Sequence, residues 1–369
     1  MSQAIKSRVV KRPEAAEKMT FARGCQVRLP ALLLLLLPAW WLGCGLAARA
    51  QSDRGVSNGA DQLTSIPLTL TDKNGAPLAL MLRPQDVRVL EDGEPQEIVE
   101  LAQRADAPRW VVLGLDTSIS QEYVLPLAKE AARHLLERAL RPDKDRAAIY
   151  SFSRSAEVRQ SLTGEFGLVL AALDRLRVEI PPGNFGGLII MTRPPAAAVG
   201  QPVAGSTSLW GGIAEVNEQV FPASDPAAFR AIVILTDGQD TSSQIKKDEA
   251  IKRLLKNGVA VYAIGLGDVK SFGEVDKSAL RSLAERTGGL AFFPRQREEL
   301  LTALTRIERG LYGQHFISYR PPRKHPPATF HELKIEIVNP ALRKQGVRLA
   351  YPRGRFAAPA HDAPAGAKP

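Results

Sequence analysis

Trp110-Val111-Val112-Leu113-Gly114-Leu115-Asp116-Thr117-Ser118-Ile119-Ser120 is the stretch that decides the fold. Its first six residues are apolar without alternation, the pattern of a strand buried on both faces of a sheet. A carboxylate and two hydroxyls follow at alternate positions, Asp116, Ser118 and Ser120. On a chain leaving a buried strand, all three can turn toward one point above the sheet. Hard divalent cations such as Mg2+ take oxygen ligands of that kind. A second reading needs no metal: the serines cap the next helix, and Ser118 to Gln121 is a Ser-x-x-Gln capping box. Composition alone puts an Asp-x-Ser-x-Ser in roughly one chain in ten of this length, so the motif in isolation favours the cap.

Working outward, the pattern of the first strand recurs at Ala147 to Phe152, Ala231 to Leu235 and Val259 to Leu266. Helical periodicity fills the gaps. Leu125, Ala128, Ala132, Leu135, Leu136 and Ala139 share one face, with Lys129, Glu130, Arg133 and Glu137 opposite. Buried strands alternating with helices from 108 to 311 predict a doubly wound α/β domain with a mostly parallel sheet. Such sheets bind ligands beyond the carboxyl ends of their strands, where Asp116 stands.

The flanks of this region have a different grammar. Ile66, Leu68 and Leu70 alternate with polar neighbours or proline, and Asn74-Gly75 follows as a turn. Val87 and Val89 precede Asp92-Gly93, which separates them from a strand holding Ile98 and Leu101. Alternation returns at Phe316 to Tyr319, at Leu333, Ile335 and Ile337, and at Val347 and Leu349. Neither group has enough strands to stand alone, so residues 63–104 and 312–356 are expected to fold together as a small β-sandwich-like portion.

Ile180 to Ser206 fits no regular element, reading as a long loop with a short strand at Leu188 to Met191. The tail, residues 357–369, is rich in Ala and Pro and is expected to be disordered.

Residues 1–50 differ from the rest. Arg23 and Arg28 precede an uncharged stretch, Leu29 to Ala48, and Ala48-Arg49-Ala50 ends it before Gln51. This is the order of a secretory signal, with Met19 as an alternative start and residues 51–62 as a linker. Retention as a membrane anchor and lipidation of Cys44 are the alternatives, set against Pro30, Pro38, Gly43 and Gly45 for the first and Trp41 and Leu42 for the second. Both cysteines, Cys25 and Cys44, lie in this segment, so a mature chain has no disulfide. The segment also holds 8 Lys/Arg and 2 Asp/Glu, so it carries +6 of the formal +10 and its removal leaves +4. Nucleic acid is therefore not an expected partner. The remaining excess is local: Arg320 to Arg355 has 9 Lys/Arg against Glu332 and Glu336. Either ordinary solvated strand faces or contact with an anionic surface accounts for it.

Two further loops give the first one companions. Thr207 lies in Gly205-Ser206-Thr207-Ser208-Leu209, at the start of a helix running to about Val220. Asp237, in Leu235-Thr236-Asp237-Gly238-Gln239-Asp240, follows its strand as Asp116 follows its own. Separately, Thr207 is a helix cap and Asp237-Gly238 a turn. Together, at one sheet edge, they resemble the metal-ion-dependent adhesion site, or MIDAS, of the von Willebrand factor type A family. Arg146 to Ser153 and Gly258 to Gly267 are similar to that family's inner strands, and the β-strand flanks to those of exported bacterial relatives. The resemblance implies Mg2+, with Mn2+ or Ca2+ as alternatives, at Asp116, Ser118, Ser120, Thr207 and Asp237. It implies a cation ringed mainly by neutral oxygens, whose open position takes an Asp or Glu carboxylate of a protein partner. Where relatives often carry an Asp after the threonine motif, this chain has Gly211-Gly212.

Catalysis has little support. His134, His315, His325, His331 and His361 each read as ordinary exposed or partly packed residues, and no zinc motif, Gly-x-Ser-x-Gly elbow or phosphate-cradling loop is present. The expected function is an exported, metal-dependent binding module and not an enzyme. A metal-stiffened envelope scaffold is the alternative, with a metal-dependent hydrolase behind it.

Overall fold

Alternation does what it promises at the amino-terminal end. β1 (Thr64–Thr71) buries Ile66, Leu68 and Leu70. The turn after it is shaped by Asp72, whose Oδ1 accepts from the amides of Asn74 and Ala76, both at 2.8 Å, with Gly75 at φ 76°. β2 (Val87–Glu91) and β3 (Glu94–Gln96) form a tight hairpin across Asp92 and Gly93, at φ 50° and 86°. The partner of β2 there is β3, not the strand of Ile98 and Leu101 expected from sequence. That strand, β4 (Ile98–Gln103), crosses to another sheet.

β5 (Arg109–Asp116) is buried along its whole length. α1 (Leu125–His134) follows and continues as a π-helical turn, Leu135–Ala139, which keeps Leu135, Leu136 and Ala139 inward. Next come β6 (Arg146–Phe152), β7 (Ala156–Thr163) and α2 (Phe166–Arg175). Two-residue strands β8 (Asn184–Phe185) and β9 (Leu188–Ile189) precede α3 (Leu209–Val220) and β10 (Phe229–Thr236). α4 (Lys247–Lys256), β11 (Val259–Gly265), α5 (Lys277–Thr287), β12 (Ala291–Phe292) and α6 (Arg297–Tyr312) complete the α/β part. The chain then returns to short strands, β13 (His315–Tyr319), β14 (Phe330–Ile337), the short α7 (Pro340–Lys344), β15 (Arg348–Ala350) and β16 (Gly354–Phe356).

The α/β sheet has the order β12-β11-β10-β5-β6-β7, parallel throughout except for antiparallel β7 at the edge. Period-two alternation along β5 sends Val111, Leu113 and Leu115 into a core with α1, α2 and α6, and Trp110 and Val112 into one with α3, α4 and α5. Both faces are thus covered, and β5 is central. The flanking strands make two four-stranded sheets, β15-β1-β13-β4 and β16-β14-β2-β3. Between them lie Ile66, Leu68, Leu70, Val87, Val89, Ile317, Tyr319, Leu333 and Ile335, so amino- and carboxyl-terminal strands share one sandwich core.

This computed structural model describes residues 63–179, 184–185, 188–189, 207–221, 228–267, 275–321 and 329–357. The expected signal and linker, almost all of the 180–206 loop and nearly the whole tail lie outside them.

Arg109 joins the two parts. It is fully buried; its Nε donates to the Leu311 carbonyl at 2.6 Å, Nη2 to Arg104 O at 3.0 Å, and Nη1 to Ala107 O. Both chain crossings between sandwich and α/β sheet, β4 to β5 and α6 to β13, are held by this one guanidinium. Beside it Asp145 accepts from the Arg109 amide at 2.8 Å, from Arg141 and from the Tyr312 hydroxyl at 2.5 Å.

One sequence expectation needs correction. His315 and His331 are each only 1% exposed, not surface residues. His331 Nδ1 lies 2.7 Å from Asp92 Oδ2, beside a buried pair in which Arg355 Nη2 donates to Glu91 Oε1 at 2.6 Å and the Tyr319 hydroxyl to Glu91 Oε2 at 2.7 Å. The basic strands are also partly neutralised. Glu336 receives both Arg88, at 2.6 Å, and Lys334, at 2.8 Å.

Candidate metal centre

Asp116 ends β5 and Asp237 follows β10, adjacent and parallel strands, so two carboxylates emerge at one sheet edge. Both are buried, at 1% and 4% exposure. Asp116 Oδ1 accepts from the Ser118 amide at 3.0 Å and the Ser118 hydroxyl at 2.6 Å, and that hydroxyl lies 2.9 Å from Ser120 Oγ. The capping reading of the serines fails here. Ser118 precedes only a single 3-10 turn, Ile119–Gln121, and caps it with no side-chain bond. Gln121 does not close a box either: its Nε2 donates to Asp237 Oδ2 at 3.1 Å.

The end of β10 supplies more. Thr236 Oγ1 donates to Asp116 Oδ2 at 2.6 Å and accepts from the Gly238 amide at 3.1 Å. Asp237 Oδ1 takes the Gln239 amide at 2.9 Å. Gly238 sits at φ 81°, and a Cβ there would come 2.9 Å from Leu280 Cγ, so glycine is needed for this turn.

Thr207 is buried, and backbone bonds tie it to the Asp237 loop: its amide donates to Thr241 Oγ1 at 2.8 Å, and its carbonyl accepts from Thr241 and Ser242 at 2.9 and 3.1 Å. It does not cap α3. The first amides of that helix, Leu209 and Trp210, donate to Asp240 Oδ1 at 2.8 and 3.3 Å, and Ser243 Oγ donates to the same oxygen at 2.5 Å. Asp240 is thus a cap supplied from another loop.

Electrostatically the centre is unbalanced. Burial first, then the like charge of Asp237, pushes the Asp116 carboxyl up to about 7, despite the hydroxyls of Ser118 and Thr236 that favour its ionised form. The groups that touch the two carboxylates are neutral: serine and threonine hydroxyls, a glutamine amide and backbone N–H. Among the described residues no group of three or more His, Cys, Asp or Glu is placed to hold a metal ion. Two carboxylates plus hydroxyls are an all-oxygen donor set, suited to a hard divalent cation and poorly suited to a soft one. Asp116, Ser118, Ser120, Thr207 and Asp237 therefore fit such an ion in chemistry. The first three touch directly, Asp237 is linked through Gln121, and Thr207 through backbone.

Gln121, Thr236 and Asp240 are the residues that sequence reasoning missed or misassigned. Gln121 was legible only as a box partner, Thr236 stands beside a motif residue, and Asp240 acts on amides some thirty positions back, for which no local signal exists.

Gly212 also has a physical reason. A Cβ there would lie 2.0 Å from the hydroxyl of Tyr150, a buried β6 residue whose OH has no hydrogen-bond partner among the described residues. An aromatic side chain occupies the space where another residue's side chain would start.

Residues 197–306 match the family model of the von Willebrand factor type A domain. The match includes Thr207 and Asp237 and begins after the Asp116 loop. No curated protein matches the chain. Among solved structures, the chain is similar to a conserved hypothetical protein, BatB, from Bacteroides thetaiotaomicron, with 15% identity over 55% of this chain and 98% of that one, TM-score 0.41. Proximal thread matrix protein 1 from the mussel byssus, with a zinc-occupied MIDAS motif, shares 18% over 61% of this chain and 50% of its own, TM-score 0.43. A von Willebrand factor type A protein from Catenulispora acidiphila shares 14% over 82% and 75%, TM-score 0.43.

Proposed function

Given that residues 197–306 match the von Willebrand factor type A domain model, we propose that the chain is an exported, divalent-cation-dependent protein-binding module. The carrying observation is the pair of buried carboxylates, Asp116 and Asp237, held at one sheet edge by neutral donors alone. Asp116, Ser118, Ser120, Thr207 and Asp237 would hold the ion, with Mg2+ as the first choice and Mn2+ or Ca2+ as alternatives. When bound, the ion supplies a Lewis-acidic position that an Asp or Glu of a partner can complete.

The protein's own groups do the rest. Ser118 and Thr236 donate to Asp116 and favour its charged form, and burial keeps water from competing with an incoming carboxylate. Binding without catalysis is supported by where the described histidines lie: His315 and His331 are buried in sandwich strands and His134 is on α1, so none is offered as a general base at the centre. Export rests on the leader from Arg23 to Ala50. No helix of the described residues is long and apolar enough to cross a membrane.

The test is capture of exported proteins by the immobilised chain in Mg2+, in chelator, and with Asp116→Ala. Capture is expected in the first condition only. Equal capture in all three would refute adhesion through the metal and leave the scaffold reading.

A further inference from the structure

Each of the two carboxylates is held by a side chain from the other's loop. From the end of β10, Thr236 Oγ1 reaches Asp116 Oδ2 at 2.6 Å; from the turn after β5, Gln121 Nε2 reaches Asp237 Oδ2 at 3.1 Å. Thr236 and Gln121 are themselves buried, at 0% and 1% exposure. We propose that Gln121 and Thr236 form a reciprocal brace that preorganises the carboxylate pair for a divalent cation. The proposal rests on the reading that this centre takes such an ion.

Several details make the brace directional. Thr236 Oγ1 accepts the Gly238 amide, which leaves its own hydrogen to point at Asp116. The Asp237 carbonyl is fixed by the Asp276 amide at 2.8 Å and the Thr236 carbonyl by the Leu266 amide at 2.9 Å, so the β10 end cannot swing freely. Gln121 is anchored through its backbone as well, its amide donating to Ser118 O at 3.0 Å. Two buried carboxylates repel one another, and without a tie their side chains would turn apart. A cation would then have to gather them, at a cost in affinity. Both ties are neutral, so neither cancels the charge that attracts the ion. A lysine in place of Gln121 would hold Asp237 as firmly but compete for it. These are positioning residues; they act on the ion through the aspartates.

The test is calorimetric titration of the chelator-treated full chain with Mg2+ and Mn2+, for the wild type and for Gln121→Leu, Thr236→Val, the double variant and Thr236→Ser. Melting temperatures are measured without metal in parallel. Outer ligands of this kind typically change metal affinity by about 10–100-fold, and that loss is expected of each single variant, with Thr236→Ser close to wild type. The double variant should lose less than the product of the two losses, since one tie cannot preorganise a pair whose other tie is gone. If the wild type binds and both single variants bind equally well, the brace is overturned while the metal reading stands. Lower metal-free melting with unchanged affinity has the same meaning, a structural role only. If the wild type binds neither ion, the metal reading itself falls. Should Thr236→Val fail to fold, Gln121→Leu decides the matter alone.

Discussion

Gly212→Ala should change sign with the residue at position 150. An alanine Cβ at 212 would lie 2.0 Å from the Tyr150 hydroxyl, far inside contact distance, so ring or helix must move by more than an ångström. Overpacking of this kind costs about 1–3 kcal/mol, more than the roughly 0.5–1 kcal/mol that alanine gains over glycine inside a helix. The net expectation in the wild-type background is a loss of about 1–2 kcal/mol. Tyr150→Phe removes only the oxygen, which is buried without a partner among the described residues, and should be neutral or slightly stabilising. In that background the nearest atoms to the new Cβ are Tyr150 Cζ and Ala156 Cβ, both at 3.3 Å, tight but tolerable. Gly212→Ala should then stabilise by about 0.5 kcal/mol, making a coupling of about 2 kcal/mol. Urea unfolding of the four proteins measures it. Gly211→Ala is the control, since a Cβ there meets the Ser208 hydroxyl at 2.6 Å, which can rotate away, and the Ser243 hydroxyl at 3.6 Å, an ordinary contact. Equal effects of Gly212→Ala in both backgrounds, within about 0.5 kcal/mol, would refute the reasoning.

Other expectations follow from the same structure. Asp240→Ala removes the acceptor of two α3 amides and should cost about 1 kcal/mol, read by urea unfolding, whereas Asp240→Asn should keep most of it. Arg109→Met leaves the Leu311 and Arg104 carbonyls without their guanidinium donor, while Asp145 keeps the amide of residue 109 and Arg141, and should cost about 2–4 kcal/mol; a loss under about 1 kcal/mol would show that the joint is not held there. Asp86 is held at about 2 by Arg83 and then Asn339, below its ordinary 3.8. A depressed carboxylate contributes above its unfolded value, so Asp86→Asn should destabilise at pH 7 by about 1 kcal/mol, after allowance for the exposed Arg83, and the gap should close as pH falls from 4 to 2. An unchanged gap at pH 2 would contradict that assignment.

What could be read in advance depended on whether the cause was local. β5 announces itself, since a strand covered on both faces needs an apolar run and Trp110 to Leu115 is one. α1 shows its inward face in its own spacing, and Asp92-Gly93 shows a turn. β7 was invisible because, as a half-exposed antiparallel edge, Ala156 to Thr163 offers only the small Ala156 with Val158 and Leu162 as inward apolar marks. The hairpin partner of β2 was misread because three residues, Glu94 to Gln96, with a proline among them, look like loop yet pair as strand. At the centre, the residue types and their loop positions were legible. The links between loops were not: Gln121 to Asp237 spans 116 positions, and Thr236 to Asp116 spans 120. His331 looked ordinary for a similar reason, as its burial depends on Glu91, Tyr319 and Arg355 from other strands.

The position of Arg109 has a mechanical consequence. β5 has the candidate metal loop at one end and the buried guanidinium at the other, with six residues between, a span of about 23 Å. A pull on a partner clasped at Asp116 would run lengthwise down this strand. It would be resisted in shear by parallel hydrogen bonds to β6 on one side and β10 on the other, and end in a clamp that grips Leu311 as well. Because the chain enters and leaves the α/β sheet at that clamp, tension passes to the sandwich without unravelling the domain from a free end. On the proposed reading, β5 would be a short shank between a hook and a fixed base.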